Sequence, residues 1–195
     1  MCSIIASFDV NKFKKLYELN SYRGALSYSM CEVDTGFPLC IKKLVQKKEK
    51  PIWDNNTKGF LIGHSQAPTS QTSRIHPAKL GSSYLWHNGI IKEESVPENK
   101  WDTLYMLEEI ESKGWDVLSE IDGAFACMLF RKGHLYVFRN EISPLFYDDN
   151  FSFSSTKFEN SRPLNSNVVY EVILRSKRLE PMGDFNTKEN PYFFY

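Results

Sequence analysis

The order of its apolar runs constrains this chain most. Strand-length runs stand near both ends, and helical periodicity lies mainly between them. Ser3 to Phe8 reads as a buried strand that begins almost at the first residue. Lys12 to Leu19 places Phe13, Leu16 and Tyr17 at helical spacing. Gly59 to Gly63 is a short apolar strand, and Tyr84 to Trp86 and Ile90-Ile91 flank His87-Asn88-Gly89. The clearest helix runs from Trp101 to Lys113, with Trp101, Leu104, Leu107 and Ile110 on one face and Gly114 as its stop. A second short helix is expected over Trp115 to Ile121. Ala124 to Phe130 and Leu135 to Arg139 form a hairpin across Arg131 to His134. Phe151 to Ser155 alternates, Val168 to Leu174 is a further strand, and the tail from Pro181 has no period. No repeat or low-complexity linker divides the chain, so residues 1–195 read as one domain. This order suits an α+β layered domain with antiparallel sheets.

Apolar residues make up 42% and aromatic residues 14% of the chain, enough to fill a core. Lys+Arg and Asp+Glu both number 24, so no global field attracts nucleic acid or an anionic membrane. The one basic run, Lys42-Lys43 through Lys47-Lys48 and Lys50, reads as a solvated loop or helix face, or as a partner patch. No stretch approaches the roughly 18 apolar residues of a membrane span. The N-terminus has no basic leader, which gives a cytoplasmic expectation. Cys2, Cys31, Cys40 and Cys127 are then expected as thiols, and Cys127 as a core residue. Their spacing matches no structural metal site, and no cofactor is expected.

Three features could carry chemistry, and each also has a structural explanation. Cys2 follows the initiator methionine directly. With Met1 removed, it would carry both a nucleophilic sulfur and a basic α-amine, whose pKa is about 7.7–8.0. The structural explanation is a chance cysteine. His87-Asn88-Gly89 reads either as a hairpin turn or as an oxyanion hole built from the Asn88 amide and the Gly89 N–H. Asp102 opens the main helix, where a carboxylate favours the helix N-terminus. The other role for Asp102 is recognition of a substrate ammonium.

Together, in order along nearly the whole chain, these segments resemble the class II (N-terminal-nucleophile) glutamine amidotransferases. Met1-Cys2-Ser3-Ile4 resembles the family's start, and Tyr22-Arg23-Gly24 its Arg-Gly turn. Gly63-His64-Ser65-Gln66-Ala67-Pro68-Thr69 is similar to its Gly-His-x-Arg-x-x-Thr segment. His76-Pro77 and His87-Asn88-Gly89-Ile90-Ile91 resemble two further elements. So do Asp102, Asp122 to Ala126, and Arg139-Asn140 through Pro144-Leu145. The resemblance implies a four-layer αββα sandwich of two antiparallel sheets. It also implies that Cys2 attacks the side-chain amide of glutamine and forms a thioester. Asn88 and Gly89 would hold the oxyanion, Asp102 would bind the α-ammonium, and Arg23 and Thr69 would shape the pocket. The ammonia released would pass to a separate synthase partner.

One departure from the pattern is chemical. Gln66 stands where the family has an arginine for the substrate α-carboxylate. A charge-assisted pair becomes a neutral hydrogen bond, with Arg23 and Arg74 as the other cations at hand. Ala25-Leu26-Ser27 also lacks the acidic residue that often follows Arg-Gly in the family. Two other functions therefore stand beside the first: a catalytically impaired regulatory or binding protein, and an amidase of the same fold with a non-glutamine substrate.

Overall fold

The computed structural model describes residues 2–49, 57–67 and 74–188. In chain order the elements are β1 (Ser3–Ser7), α1 (Val10–Leu19), β2 (Ser27–Asp34), β3 (Cys40–Lys47), β4 (Phe60–Gln66), β5 (Ala78–Leu80) and β6 (Ser83–Ile91). There follow α2 (Asp102–Lys113), β7 (Gly123–Arg131), β8 (His134–Arg139), β9 (Phe146–Tyr147), β10 (Phe153–Ser154), β11 (Arg162–Pro163), β12 (Val168–Ile173) and β13 (Arg178–Asp184). The strands make two antiparallel sheets. One is ordered β11-β9-β10-β1-β4-β2-β3, the other β13-β12-β8-β7-β6-β5.

Side chains alternate across a strand, so each strand feeds two apolar layers. Ile4 and Ala6 of β1, Cys31 and Val33 of β2, and Phe60 and Ile62 of β4 point into the space between the sheets. There they meet Trp86, Ala126, Met128, Phe130 and Val137 from the other sheet. The residues between them face outward. Ile5, Met30 and Leu61 pack under Phe13, Leu16 and Tyr17 of α1. On the other sheet Leu85, Phe125, Cys127, Leu129 and Phe138 pack under Met106, Leu107 and Ile110 of α2. The result is the expected helix–sheet–sheet–helix sandwich. Asp9 caps α1 by accepting from the Asn11 and Lys12 amides at 2.7 and 3.0 Å, a contact worth about 1 kcal/mol. Gly114 ends α2 at φ 78°. All four cysteines are free thiols, and Cys127 is fully buried, as expected.

Several boundaries differ from the sequence reading. His87-Asn88-Gly89 is not a turn. It lies inside β6, with Asn88 opposite Ala126 and Gly89 opposite Phe125 on β7. Cross-strand pairing along the full length of β6 overrides the local Asn-Gly turn preference. The lysine run is neither loop nor helix through residue 47; it forms edge strand β3, which carries exposed lysines at positions 42, 43 and 47. Charged side chains on an edge discourage pairing with another chain. Trp115–Ser119 is a 3-10 helix rather than an α-helix. No strand was expected at β2, whose inward positions include serines, at β13, which contains Pro181 and Gly183, or at the short β5, β9 and β11. Among the described residues no helix is long and apolar enough to cross a membrane.

Candidate active site

Cys2 immediately precedes β1 and is 6% exposed. The alternation that sends Ile4 and Ala6 between the sheets directs Cys2 the same way. Its Sγ donates to the Ala67 carbonyl at 3.4 Å. Arg23 Nε donates to the Cys2 carbonyl at 3.1 Å, which ties the Arg-Gly turn to the head of β1. Gly24 lets the same turn lie against the end of β4. A Cβ there would lie 2.5 Å from the Ala67 nitrogen and 2.6 Å from the Gln66 carbonyl carbon. Burial pushes the Cys2 thiol pKa up; the Ala67 contact and Arg23 oppose this, and Asp102 adds to it. A thiol held in that state needs a base to take its proton as it attacks.

β1 packs against β6, and on β6 Asn88 shares the inward parity of Trp86. Asn88 is 2% exposed. Gly89 adopts φ 155°, and a Cβ on it would sit 1.8 Å from the Ala124 carbonyl oxygen and 2.8 Å from His87 Nε2. Only glycine lets β6 lie this close to β7 while His87 reaches across to Ala124 at 3.3 Å. Asn140 holds the start of β7 from below: it accepts from the Phe125 amide at 3.2 Å and donates to the Gly123 carbonyl at 2.7 Å.

Asp102 is the first residue of α2, and its side chain is 16% exposed. Its Oδ1 accepts from the Thr103 amide at 2.7 Å, and its Oδ2 lies 3.9 Å from His87 Nδ1. Asp102 reaches this end of the sandwich through His87, the residue before Asn88 on β6.

Gln66 is 3% exposed, and both ends of its side chain are engaged. Ser27 Oγ donates to its Oε1 at 2.6 Å, and its Nε2 donates to the Arg74 carbonyl at 2.9 Å. Gln66 therefore braces the strand across to Ser27 and to the segment at residue 74. Thr69 lies outside the described residues. Thus Cys2, Arg23, Gln66, Asn88, Gly89 and Asp102 gather around one end of the sandwich. The sequence assigned no role to Ser27, Thr103, Ala67 or Ala124, which hold these groups through a hydroxyl or a main-chain carbonyl. His64 and His76 figured there only as parts of motifs. The structure buries both and stacks their rings at 3.8 Å between centroids. Burial pushes the His64 pKa down to about 3 and that of His76 well below its usual value. Among the described residues no cluster of His, Cys, Asp or Glu is arranged to hold a metal ion.

No protein-family model matches the chain, and no curated protein matches it. Solved structures do. One is the glutamine phosphoribosylpyrophosphate (PRPP) amidotransferase from B. subtilis complexed with ADP and GMP. It has 15% identity and a TM-score of 0.64, covering 94% of this chain and 50% of that one. Another is described as the allosteric regulatory enzyme of purine biosynthesis. It also has 15% identity and a TM-score of 0.64, with 97% of this chain and 50% of that one covered. The chain thus spans half the length of each. The likeness, together with the two packed antiparallel sheets, shows the fold: this chain has the layered αββα sandwich shared with a PRPP amidotransferase.

Proposed function

We propose that this chain is a glutamine amidotransferase domain that hydrolyses the glutamine side-chain amide to glutamate and ammonia through a Cys2 thioester. The observation that carries this reading is a buried Cys2 at the head of β1, which packs against β6, where Asn88 is also buried. Removal of Met1 frees the Cys2 α-amine. That amine takes the thiol proton as sulfur attacks the amide carbon, and the Asn88 amide and Gly89 N–H receive the developing oxyanion. The proton then passes to the leaving nitrogen, which departs as ammonia. Water hydrolyses the thioester, releasing glutamate and restoring the thiol. Asp102 receives the substrate α-ammonium, and Arg23 and Thr69 shape the pocket. The ammonia is passed to a separate synthase subunit. The setting is the cytoplasm, where the thiol stays reduced.

Gln66 favours a second reading. Its side chain is spent on Ser27 and Arg74, so it does not supply the cation that a free α-carboxylate would pair with. This suits an amidase with a substrate lacking that carboxylate, or a regulatory protein that no longer turns over. The test is a glutaminase assay on protein whose N-terminus is verified by intact mass, beside a panel of other amides. Gln66→Arg separates the readings. For a glutaminase it should lower KM for glutamine about tenfold, the size of one charge-assisted contact, with a smaller change in kcat. An amidase for uncharged substrates should instead lose activity with Gln66→Arg. Absence of amide hydrolysis from both forms with a mature Cys2 would leave the regulatory reading.

A further inference from the structure

Two imidazoles and a carboxylate meet one hydroxyl at the start of α2. Thr103 is fully buried. Its Oγ1 lies 3.1 Å from His76 Nε2, 3.2 Å from His87 Nδ1 and 3.2 Å from Asp102 Oδ1. A hydroxyl has one proton and two acceptor lone pairs, so three partners use its whole capacity. At least two of them must then donate to it, or one contact goes unmade.

Main-chain carbonyls settle the tautomers. His64 Nε2 lies 2.9 Å from the His87 carbonyl oxygen, which can only accept, so the His64 proton sits on Nε2. His87 Nε2 faces the Ala124 carbonyl at 3.3 Å and carries a proton for the same reason. In a neutral His87 ring, Nδ1 is then an acceptor and takes the Thr103 hydroxyl proton. The Thr103 oxygen accepts from His76 Nε2–H, which leaves His76 Nδ1 bare. That atom is one of the buried side-chain nitrogens without a hydrogen-bond partner among the described residues. In this arrangement Asp102 Oδ1 receives the Thr103 main-chain N–H but no hydroxyl proton. A second arrangement differs by one proton. With His87 protonated at Nδ1, that N–H donates to Thr103, and the Thr103 hydroxyl turns to donate to Asp102 Oδ1. The carboxylate then has a further hydrogen bond and a cation 3.9 Å from its Oδ2.

We propose that Thr103 is a positioning residue that couples the protonation of His87 to the hydrogen bonding of the Asp102 carboxylate. The groups facing His87 are His64 from β4, His76 ahead of β5, Asp102 from α2 and Cys127 opposite it on β7. Burial keeps His64 and His76 uncharged and raises the Cys127 thiol. Among the described residues that leaves Asp102 as the charged partner of His87. On the reading that Asp102 receives a substrate ammonium, the two cations compete for it. Substrate binding then expels the His87 proton, and KM rises as the pH falls.

Ring-nitrogen NMR of the full chain labelled with 15N-histidine reads protons on Nδ1 and Nε2 separately, without need of activity. At the alkaline end of a titration His64, His76 and His87 should all carry their proton on Nε2. On acidification His87 alone should gain a proton at Nδ1 while the fold persists. Asp102→Asn should move that gain to lower pH by about one unit, by removing an opposite charge. Thr103→Val should change both the His87 Nδ1 signal and the position of its transition, and Thr103→Ser should restore them. A neutral His87 with its proton on Nδ1 in the wild type would overturn the proposal. So would a His87 transition indifferent to both Asp102→Asn and Thr103→Val in folded protein. Adding L-glutamine to a Cys2→Ala chain should shift the His87 transition to lower pH. If the variants behave as expected and glutamine moves nothing, the coupling stands and the ammonium reading of Asp102 falls.

Discussion

The two ends of the sandwich are built from the same strands and differ in what they bury. At one end β2 and β4 meet at Ser27 and Gln66, and β1 meets β4 at Ser3 and Ser65. Cys2, Ser27, His64, Gln66, His87 and Asn88 are all buried there. At the other end, the turns after β2, β7 and β12 enclose a small cavity lined by Phe37, Leu39, Gly133, Glu171, Leu174 and Arg175. Its polar groups pair near the surface: His134 with Glu171 at 2.7 Å, and Arg175 with the Thr35 carbonyl at 3.1 Å. Phe37 stands 77% exposed beside them. Burying polar groups costs stability unless each finds a partner. A fold that concentrates them at one end has placed that cost where chemistry can use it.

The largest effect should come from the nucleophile. Cys2→Ala should abolish amide hydrolysis while the melting temperature stays near that of the wild type, because no other group at that end replaces the sulfur. Cys127→Ala, deep under α2, should cost stability rather than turnover. If Cys2→Ala keeps near-normal activity, the distinction between the two ends loses its functional meaning. Next is Asn88→Ala. Loss of one oxyanion donor should lower kcat by about 10²–10³ and leave KM nearly unchanged. A raised KM with kcat intact would make Asn88 a binding residue instead.

Acid should act on the polar end. His64 is neutral in the folded chain, its pKa pushed down to about 3 by burial, against about 6.5 when unfolded. Between those values the unfolded chain binds a proton that the folded chain refuses. Stability is therefore full above the unfolded value and falls as the pH drops. Linkage gives a loss of about 2 kcal/mol between about pH 7 and about pH 5 from His64 alone, and His76 acts in the same direction. Urea unfolding at the two pH values measures it; equal stabilities would show that these rings are not held neutral by burial. The smallest effect belongs to the far end. Phe37→Ala should leave turnover within about twofold and stability within about 0.5 kcal/mol, as for most exposed positions. A large loss of activity there would tie the two ends together.

Much of this was legible in the sequence because alternation is local. Ala124 to Phe130 announces a strand buried on both faces, and Phe13, Leu16 and Tyr17 announce the α1 stripe. Other parts were legible only through pairing. Asn88-Gly89 carries the local chemistry of a hairpin turn, yet its neighbours on β7 keep it extended. Lys42, Lys43 and Lys47 hide an edge strand behind a solvated composition, and β13 hides behind Pro181 and Gly183. The site divides in the same way. Cys2, Asn88 and Asp102 could be named from position and residue type. The engagement of Gln66 with Ser27 and Arg74, and the meeting of His76, His87 and Asp102 at Thr103, depend on strands brought together by the fold. No spacing along the chain encodes them.

The central claim is that a mature Cys2 is the nucleophile of this fold. Rapid acid quench of the processed chain with glutamine, followed by mass analysis of the N-terminal peptide, tests it most directly. The account predicts a peptide that begins at Cys2, carries one glutamyl acyl group on sulfur, and loses it as ammonia and glutamate accumulate. Full turnover by a chain that retains Met1, or ammonia release with Cys2 never acylated, would contradict it.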